Sequence, residues 1–176
     1  YLMHTSTSPQ YAIIASCDVA ASMMEAPGGT ALVQESLQEA RDFRRAMRKV
    51  EQEYDGSWWF RVWGPDNLSS GKALRQEEWM LHADEKWHGF GPVEPGFNML
   101  DPIKATIITP GLDMEGEFAD TGIPAAVVTK YLAEHGVVVE KTGLYSFFVM
   151  FTIGITKGRW NTLVTELQQF KADYDE

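Results

Sequence analysis

A short charged segment, Glu140-Lys141-Thr142, directly follows three consecutive valines. Because β-branched valine favours strands, this run predicts a buried strand whose end carries a carboxylate, an ammonium group and a hydroxyl. A strand that ends in charge at a sheet edge is a common place for a ligand. The residues alone leave open a second interpretation, in which Glu140 and Lys141 are ordinary solvated strand-end residues.

Hydroxyl groups form a second candidate site near the N-terminus, where Thr5, Ser6 and Thr7 precede a helical pattern. Ser8 is a typical N-cap and Pro9 fits the first helical position, so a helix is predicted to begin at Pro9. The unpaired amides of a helix start and the neighbouring hydroxyls suit an anion. Simple capping is the alternative interpretation of the same residues.

Other candidate groups are less specific. His88, in Trp87-His88-Gly89-Phe90, is either an acid–base group or a histidine whose hydrogen bonds are satisfied among aromatic rings. The single cysteine, Cys17, excludes an internal disulfide and a cysteine-based metal site, and the four histidines lack the spacing of a helical zinc pair. The acidic residues between Asp113 and Glu117 do not alternate as in a calcium loop.

Two long helices are predicted to position these groups. The first is capped by Thr30 and runs to about Tyr54, and the second is capped by Thr156 and runs towards the C-terminus. The first has apolar residues at steps of three and four, and the second has an apolar face. The apolar positions are Val33, Leu37, Ala40, Phe43, Met47, Val50 and Tyr54 in the first helix, and Trp160, Leu163, Val164, Leu167, Phe170 and Tyr174 in the second.

The remaining elements complete an α/β fold. Strands are predicted at 58–63, at 103–109 with Ala105 and Ile107 inward, at the valine run, and at about 145–153. A helix precedes the valines and ends at Gly136, and 77–97 is predicted to be ordered but irregular. The order β, irregular, β, α, β, β, α predicts an α+β sandwich with helices on one face of a mostly antiparallel sheet.

Composition limits the class of protein. The 176 residues are 44% hydrophobic and 23% charged, which is typical of a globular chain. The net charge of −10 argues against nucleic acid and favours cationic small molecules as partners. No apolar run is long enough to span a membrane and no export signal is seen, so a cytoplasmic location is expected. A start at Tyr1 and a helical pattern that still carries Phe170 and Tyr174 near the end suggest part of a longer polypeptide.

Six strings occur in a fixed order along the chain: HTSTSPQYAIIAS (4–16), DFRRAM (42–47), WHGF (87–90), MLDPIK (99–104), TGIPAAVVTKYLAEHGVVVEKTG (121–143) and FTIGITKGRW (151–160). Together they resemble one family, the bacterial inducible-type ornithine/lysine/arginine decarboxylases. These are pyridoxal-phosphate enzymes of the aspartate-aminotransferase fold.

The resemblance implies a domain division. Residues 1–30 would end a fold-type I large domain that binds the cofactor, 31–56 would be a long linking helix, and 57–176 would form a small C-terminal α/β domain. The family's Schiff-base lysine lies in a Ser-x-His-Lys motif, but no His-Lys pair occurs here. No catalytic residue is therefore assigned in this chain, and the 176 residues are not expected to be active alone.

The resemblance also implies roles for both candidate sites. Pyridoxal phosphate serves as the electron sink for decarboxylation, and Thr5, Ser6 and Thr7 would approach its phosphate from the neighbouring subunit. Glu140, Lys141 and Thr142 would lie at the substrate entrance, where the Glu140 carboxylate would pair with the distal cation of a basic amino acid.

The substrate and assembly are expected from the same family. The strings 157–160 and 82–90 look closer to arginine- and lysine-type members than to ornithine-type ones. A homodimer that assembles into a larger ring of dimers is expected, with no nucleic-acid or membrane partner. The competing hypothesis is a non-catalytic α/β ligand-binding or interaction module derived from the small domain.

Overall fold

A computed structural model describes residues 8, 10–65, 68 and 76–176. The chain divides into two compact units, Tyr1–Glu35 and Ser36–Glu176. Four α-helices occur in the described residues: α1 (Tyr11–Met24), α2 (Gly28–Glu53), α3 (Ala125–Glu134) and α4 (Trp160–Asp175). No helix of the described part is long and apolar enough to cross a membrane.

In the first unit, α1 begins later than the sequence predicts. Gln10 takes the N-cap position with an extended backbone, and its carbonyl accepts the first helical bonds from Ile13 and Ile14 at 3.1 Å each. The predicted start at Pro9 is therefore wrong by two residues. The second helix also starts before its predicted cap, Thr30. It begins at Gly28, and a Cβ on Gly29 would collide with the backbone of Met24, so this turn requires glycine.

The second unit contains four strands: β1 (Arg61–Val62), β2 (Lys104–Ile108), β3 (Lys141–Thr142) and β4 (Ser146–Met150). They form one antiparallel sheet in the order β1-β2-β4-β3, and the sequence predicted a mostly antiparallel sheet. The central pair aligns Ile107 with Phe147, and Thr142 lies opposite Phe147 on the other side of β4. The short β3 is thus an edge strand.

One face of this sheet forms the main core. Ala105, Ile107 and Phe147 are almost fully buried there, as the period-two pattern predicts for β2. The helices contribute the other side of this core through Ala40, Phe43, Met47 and Val50 of α2, Ala125, Val128 and Leu132 of α3, and Leu163, Val164, Leu167 and Phe170 of α4. Helices therefore pack on one face of the sheet, which confirms the predicted α/β architecture.

Residues 77–97 are ordered but mostly irregular, as predicted. A 3₁₀ helix spans Gln76–Trp79, and a second apolar cluster joins Leu68, Trp79, Leu81 and Leu100. The Trp63 indole donates a hydrogen bond to the Trp87 carbonyl at 2.9 Å. Aromatic packing and indole bonds thus stabilise this segment without a long helix.

A buried arginine attaches α2 to the strands. The Arg44 guanidinium donates hydrogen bonds to the carbonyls of Trp63 at 3.2 Å and Lys104 at 2.8 Å. Burial lowers the pKa of Arg44 to about 10, and the nearby Asp101 carboxylate opposes that shift. Arg44 therefore supplies hydrogen-bond donors to two backbone carbonyls at the sheet. Its burial removes the guanidinium from water, which disfavours its charged form.

Two elements are shorter in the structure than the sequence predicted. The residues that were expected to extend them instead contact other parts of the chain. The aromatic strand predicted over 58–63 reduces to β1, since Trp58 and Phe60 pack edge to face within the core, with ring centroids 5.4 Å apart. Thr156 does not cap α4, which begins at Trp160 after Arg159. The Gly158 amide, in the turn before α4, donates to the Glu39 carboxylate of α2 at 2.7 Å.

Candidate functional site

The predicted substrate site lies at the edge of the sheet. Lys141 pairs with Phe148 of β4, and Thr142 pairs with Phe147. The valines before this pair were predicted to form a buried strand, and that prediction is wrong. Residues 137–139 are outside the strands, and Val138 is 85% exposed.

The edge is irregular where the charged residues begin. The Glu140 amide donates to the Phe148 carbonyl at 3.0 Å, although Phe148 is already the register partner of Lys141. Glu140 therefore bonds to β4 just outside β3, whose pairing begins at Lys141. Because Glu140 lies outside the strand, the alternation of a regular strand does not set the direction of its side chain.

The three predicted substrate-site residues have different environments. All three are exposed, and in the described part of the chain neither Glu140 nor Lys141 forms an ion pair. The Thr142 hydroxyl instead donates a long hydrogen bond, 3.3 Å, to the hydroxyl of Thr129 in α3. The structure therefore brings a free carboxylate and a free ammonium group to one edge and directs the Thr142 hydroxyl towards a helix.

The hairpin that carries these residues is fixed at its turn. The Gly143 amide donates to the Ser146 carbonyl at 2.6 Å, and the first amide of α3, from Ala125, donates to the Leu144 carbonyl at 2.8 Å. The second bond satisfies an amide that has no partner within the helix. Sequence patterns missed Ala125 and Thr129 as supports of this edge, because the contacts join separate elements.

The predicted cofactor-binding residues, Thr5, Ser6 and Thr7, lie outside the described residues. Within the described chain, the lysine with the least exposed side chain is Lys171, and its ammonium group bonds to Asp175 at 2.6 Å over the Trp59 ring. This arrangement does not fit a lysine that holds pyridoxal phosphate. The described residues also contain no group of three or more side chains that would hold a metal ion.

His88 is a satisfied histidine. The Phe90 amide donates to Nδ1 at 3.1 Å, so Nδ1 carries no proton, and Nε2 must be the nitrogen that donates to the His82 carbonyl at 2.9 Å. The ring is only 4% exposed. Both nitrogens are occupied in the neutral tautomer, which favours the structural interpretation over the acid–base one.

Comparison with known proteins places this geometry in a family. The model of the Orn/Lys/Arg decarboxylase major domain matches residues 1–159. Lysine decarboxylase LdcA of Pseudomonas aeruginosa is 53% identical over 176 residues, which are 99% of this chain and 23% of that protein. The biodegradative arginine decarboxylase of Escherichia coli K12 is 42% identical over 192 residues, with 99% of this chain and 25% of that protein covered.

Solved structures agree with the sequence relatives. The structure of P. aeruginosa lysine decarboxylase A superposes with a TM-score of 0.88 over 98% of this chain and 23% of that one, at 53% identity. The Francisella novicida lysine decarboxylase LdcF gives a TM-score of 0.86 at 46% identity, over 99% of this chain and 23% of that one. The chain spans about a quarter of the length of the relatives it matches. It belongs to the Orn/Lys/Arg decarboxylase family.

Proposed function

We propose that this chain contributes the substrate-recognition edge of a pyridoxal-phosphate-dependent decarboxylase that acts on L-lysine or L-arginine, and less well on L-ornithine. Glu140 would bind the distal cation of the substrate, with Lys141 and Thr142 beside it. The observation that carries this proposal is the exposed Glu140 carboxylate, which has no ion-pair partner in the described chain and lies at the start of an anchored hairpin.

Solvation decides how strongly the Glu140 carboxylate binds a cation. An exposed carboxylate gains little from a cation in water, because ion pairs at a surface contribute about 0–1 kcal/mol. The same pair becomes strong and selective when water is excluded, since charge-assisted hydrogen bonds are short and directional. The proposal therefore requires the rest of a full-length enzyme to cover this edge.

Relatives support the substrate class. LdcA and LdcF are named lysine decarboxylases, and the arginine decarboxylase of E. coli is less similar to this chain. We favour lysine for this reason, with arginine as the second substrate. The two differ in length and in the geometry of their donors, so one edge would not serve both equally.

The cofactor, domain and assembly assignments belong to the same proposal. Thr5, Ser6 and Thr7 would contact the phosphate of pyridoxal phosphate. Residues 1–30 would end the large domain, 31–56 would link, and 57–176 would form the small domain. The full-length enzyme would be a cytoplasmic homodimer within a ring of dimers.

A second candidate function is a non-catalytic α/β binding module. The observation in its favour is that Ser36–Glu176 is a compact unit with its own core. A unit of this kind is able to fold without further chain. In that case the edge at Glu140 would bind a cationic ligand without reaction.

The test is the Glu140→Gln substitution in the full-length gene product, which removes the charge and keeps the size. We expect the Michaelis constant for L-lysine to rise about tenfold to a hundredfold, because a hydrogen bond to a charged group contributes roughly 1.5–3 kcal/mol. Glu134→Gln, at another exposed glutamate, is the matched control and should leave the constant unchanged. An unchanged Michaelis constant in the Glu140 variant would contradict the proposed role.

A further inference from the structure

We infer that Tyr145 is a positioning residue for the Glu140 carboxylate, an inference that rests on the proposed function of that edge. Tyr145 ends the turn between β3 and β4 and is half-buried. The Tyr145 side chain lies away from Glu140, Lys141 and Thr142. Tyr145 attaches the hairpin to the neighbouring turn after β2.

The backbone of Tyr145 extends the sheet. Its carbonyl accepts a hydrogen bond from the amide of Thr109 at 3.0 Å, one residue beyond the end of β2. Thr109 is fully buried, and its hydroxyl donates to the Ile123 carbonyl at 2.7 Å. The turn of the hairpin is therefore bonded to a residue that is itself held in the interior.

The ring of Tyr145 packs on the backbone of Gly111. A Cβ on Gly111 would lie 2.6 Å from the ring carbon Cε1, and Gly111 has a φ of +114°. Only glycine permits this conformation and this close approach. The ring of Phe118 lies nearby, with its centroid 6.1 Å from that of Tyr145. The Tyr145 ring thus fixes the hairpin turn against a second turn.

The backbone at Glu140 is held from two sides. On its N-terminal side, Val137 and Val139 pack on the main core, and the Val137 amide donates to the Leu132 carbonyl at 2.8 Å. On its C-terminal side, Glu140 continues into the β3–β4 hairpin, and its amide donates to the Phe148 carbonyl at 3.0 Å. Tyr145 fixes the turn of that hairpin, so removal of its ring frees the C-terminal side of Glu140.

A double-substitution cycle in the full-length gene product tests this inference with L-lysine as substrate. Tyr145→Ala should raise the Michaelis constant about threefold to thirtyfold with little change in kcat, and Tyr145→Phe, which keeps the ring, should restore it. In a Glu140→Gln background, Tyr145→Ala should cause no further rise, since the carboxylate that it positions is already neutral. A residue that merely stabilises the fold would not show this dependence.

The outcomes separate the inference from the function on which it rests. If Tyr145→Ala changes the Michaelis constant equally in both backgrounds, or in neither, the positioning role of Tyr145 is overturned. The proposed role of Glu140 in substrate binding is then unaffected. No effect of Glu140→Gln overturns the proposed role of the edge and this inference together. Phe97→Ala is the control: it removes an aromatic ring that is 78% exposed, and it should leave the Michaelis constant unchanged. If Tyr145→Ala does not fold, as judged by circular dichroism, Tyr145→Leu replaces it in the same cycle.

Discussion

Helices α1 and α4 are both rich in apolar residues, yet they differ completely in burial. None of the residues of α1 is buried, and Tyr11 is 86% exposed. In contrast, α4 buries Leu163, Val164, Leu167, Phe170 and Lys171. The difference follows from the pattern, because α4 has one apolar stripe whereas the apolar residues of α1 surround the helix.

The apolar surface of α4 is buried by other residues of this chain, whereas that of α1 is not. The stripe of α4 packs on the sheet and on α2 and α3 within Ser36–Glu176. A helix that is apolar on all sides is typical of the interior of a larger domain. This supports the proposal that residues 1–30 belong to a larger cofactor-binding domain.

The largest expected effect comes from the buried stripe of α4. Leu167→Ala should lower the free energy of unfolding by about 2–5 kcal/mol, because it opens a cavity in the core. Ile14→Ala, the matched change in α1, should alter it by less than about 0.5 kcal/mol, since Ile14 is 53% exposed. Urea denaturation of the 176-residue chain measures both. Equal losses would show that α1 is packed in this chain and would break the comparison.

A smaller effect is expected where α4 begins. The Glu39 carboxylate accepts hydrogen bonds from the Gly158 amide at 2.7 Å and the Trp160 indole at 3.0 Å. Glu39→Ala leaves both donors unpaired and should cost about 1–3 kcal/mol of unfolding free energy. Glu39→Gln keeps an acceptor oxygen and should cost less.

Thermal denaturation of these variants, with Glu134→Ala as the surface control, checks this prediction. A Glu39→Gln variant as unstable as Glu39→Ala would mean that the charge, and not the acceptor, supports the turn before α4.

The smallest effect is expected at the exposed contact between α3 and α4. Hydrogen bonds from Gln169 and then from Tyr131 lower the pKa of Asp173 below its usual value. Burial, followed by the bond to Asp173, raises the pKa of Tyr131 to about 12. A lowered carboxylate pKa stabilises the fold above the unfolded pKa, near 4, and this contribution is lost as pH falls through the folded value.

Tyr131→Phe removes one of those bonds, so its melting temperature should lie below that of the wild type at pH 7. The difference should narrow at pH 2, because the contribution of the lowered Asp173 pKa is lost as the pH falls through the folded value. Melting curves at the two pH values measure it. A difference that stays constant or grows in acid would show that the Tyr131–Asp173 bond is not the cause.

Sequence patterns predicted the elements whose burial follows a simple period. The inward residues of β2 and the buried stripe of α4 agree with the structure because each element packs one face on a single core. The valine run failed because β-branched residues favour strands only where a partner strand is available. At this sheet edge, pairing begins one residue after Glu140 instead.

The candidate site was predictable in composition but not in geometry. Glu140 and Lys141 were recognisable as a charged strand end. The bond from the Glu140 amide to Phe148, the Thr142–Thr129 contact and the packing of Tyr145 on Gly111 depend on residues in other elements, and no local sequence pattern predicts them. A close approach to a glycine with positive φ becomes visible only when the two turns are placed together.

Carbon dioxide release by the full-length gene product, with L-lysine, L-arginine and L-ornithine offered separately, tests the central claim most directly. We expect release from lysine or arginine at a higher kcat/KM than from ornithine, by a protein that shows the absorbance of bound pyridoxal phosphate. A stable 19.8 kDa protein without that absorbance, which releases no carbon dioxide from any of the three, would contradict it.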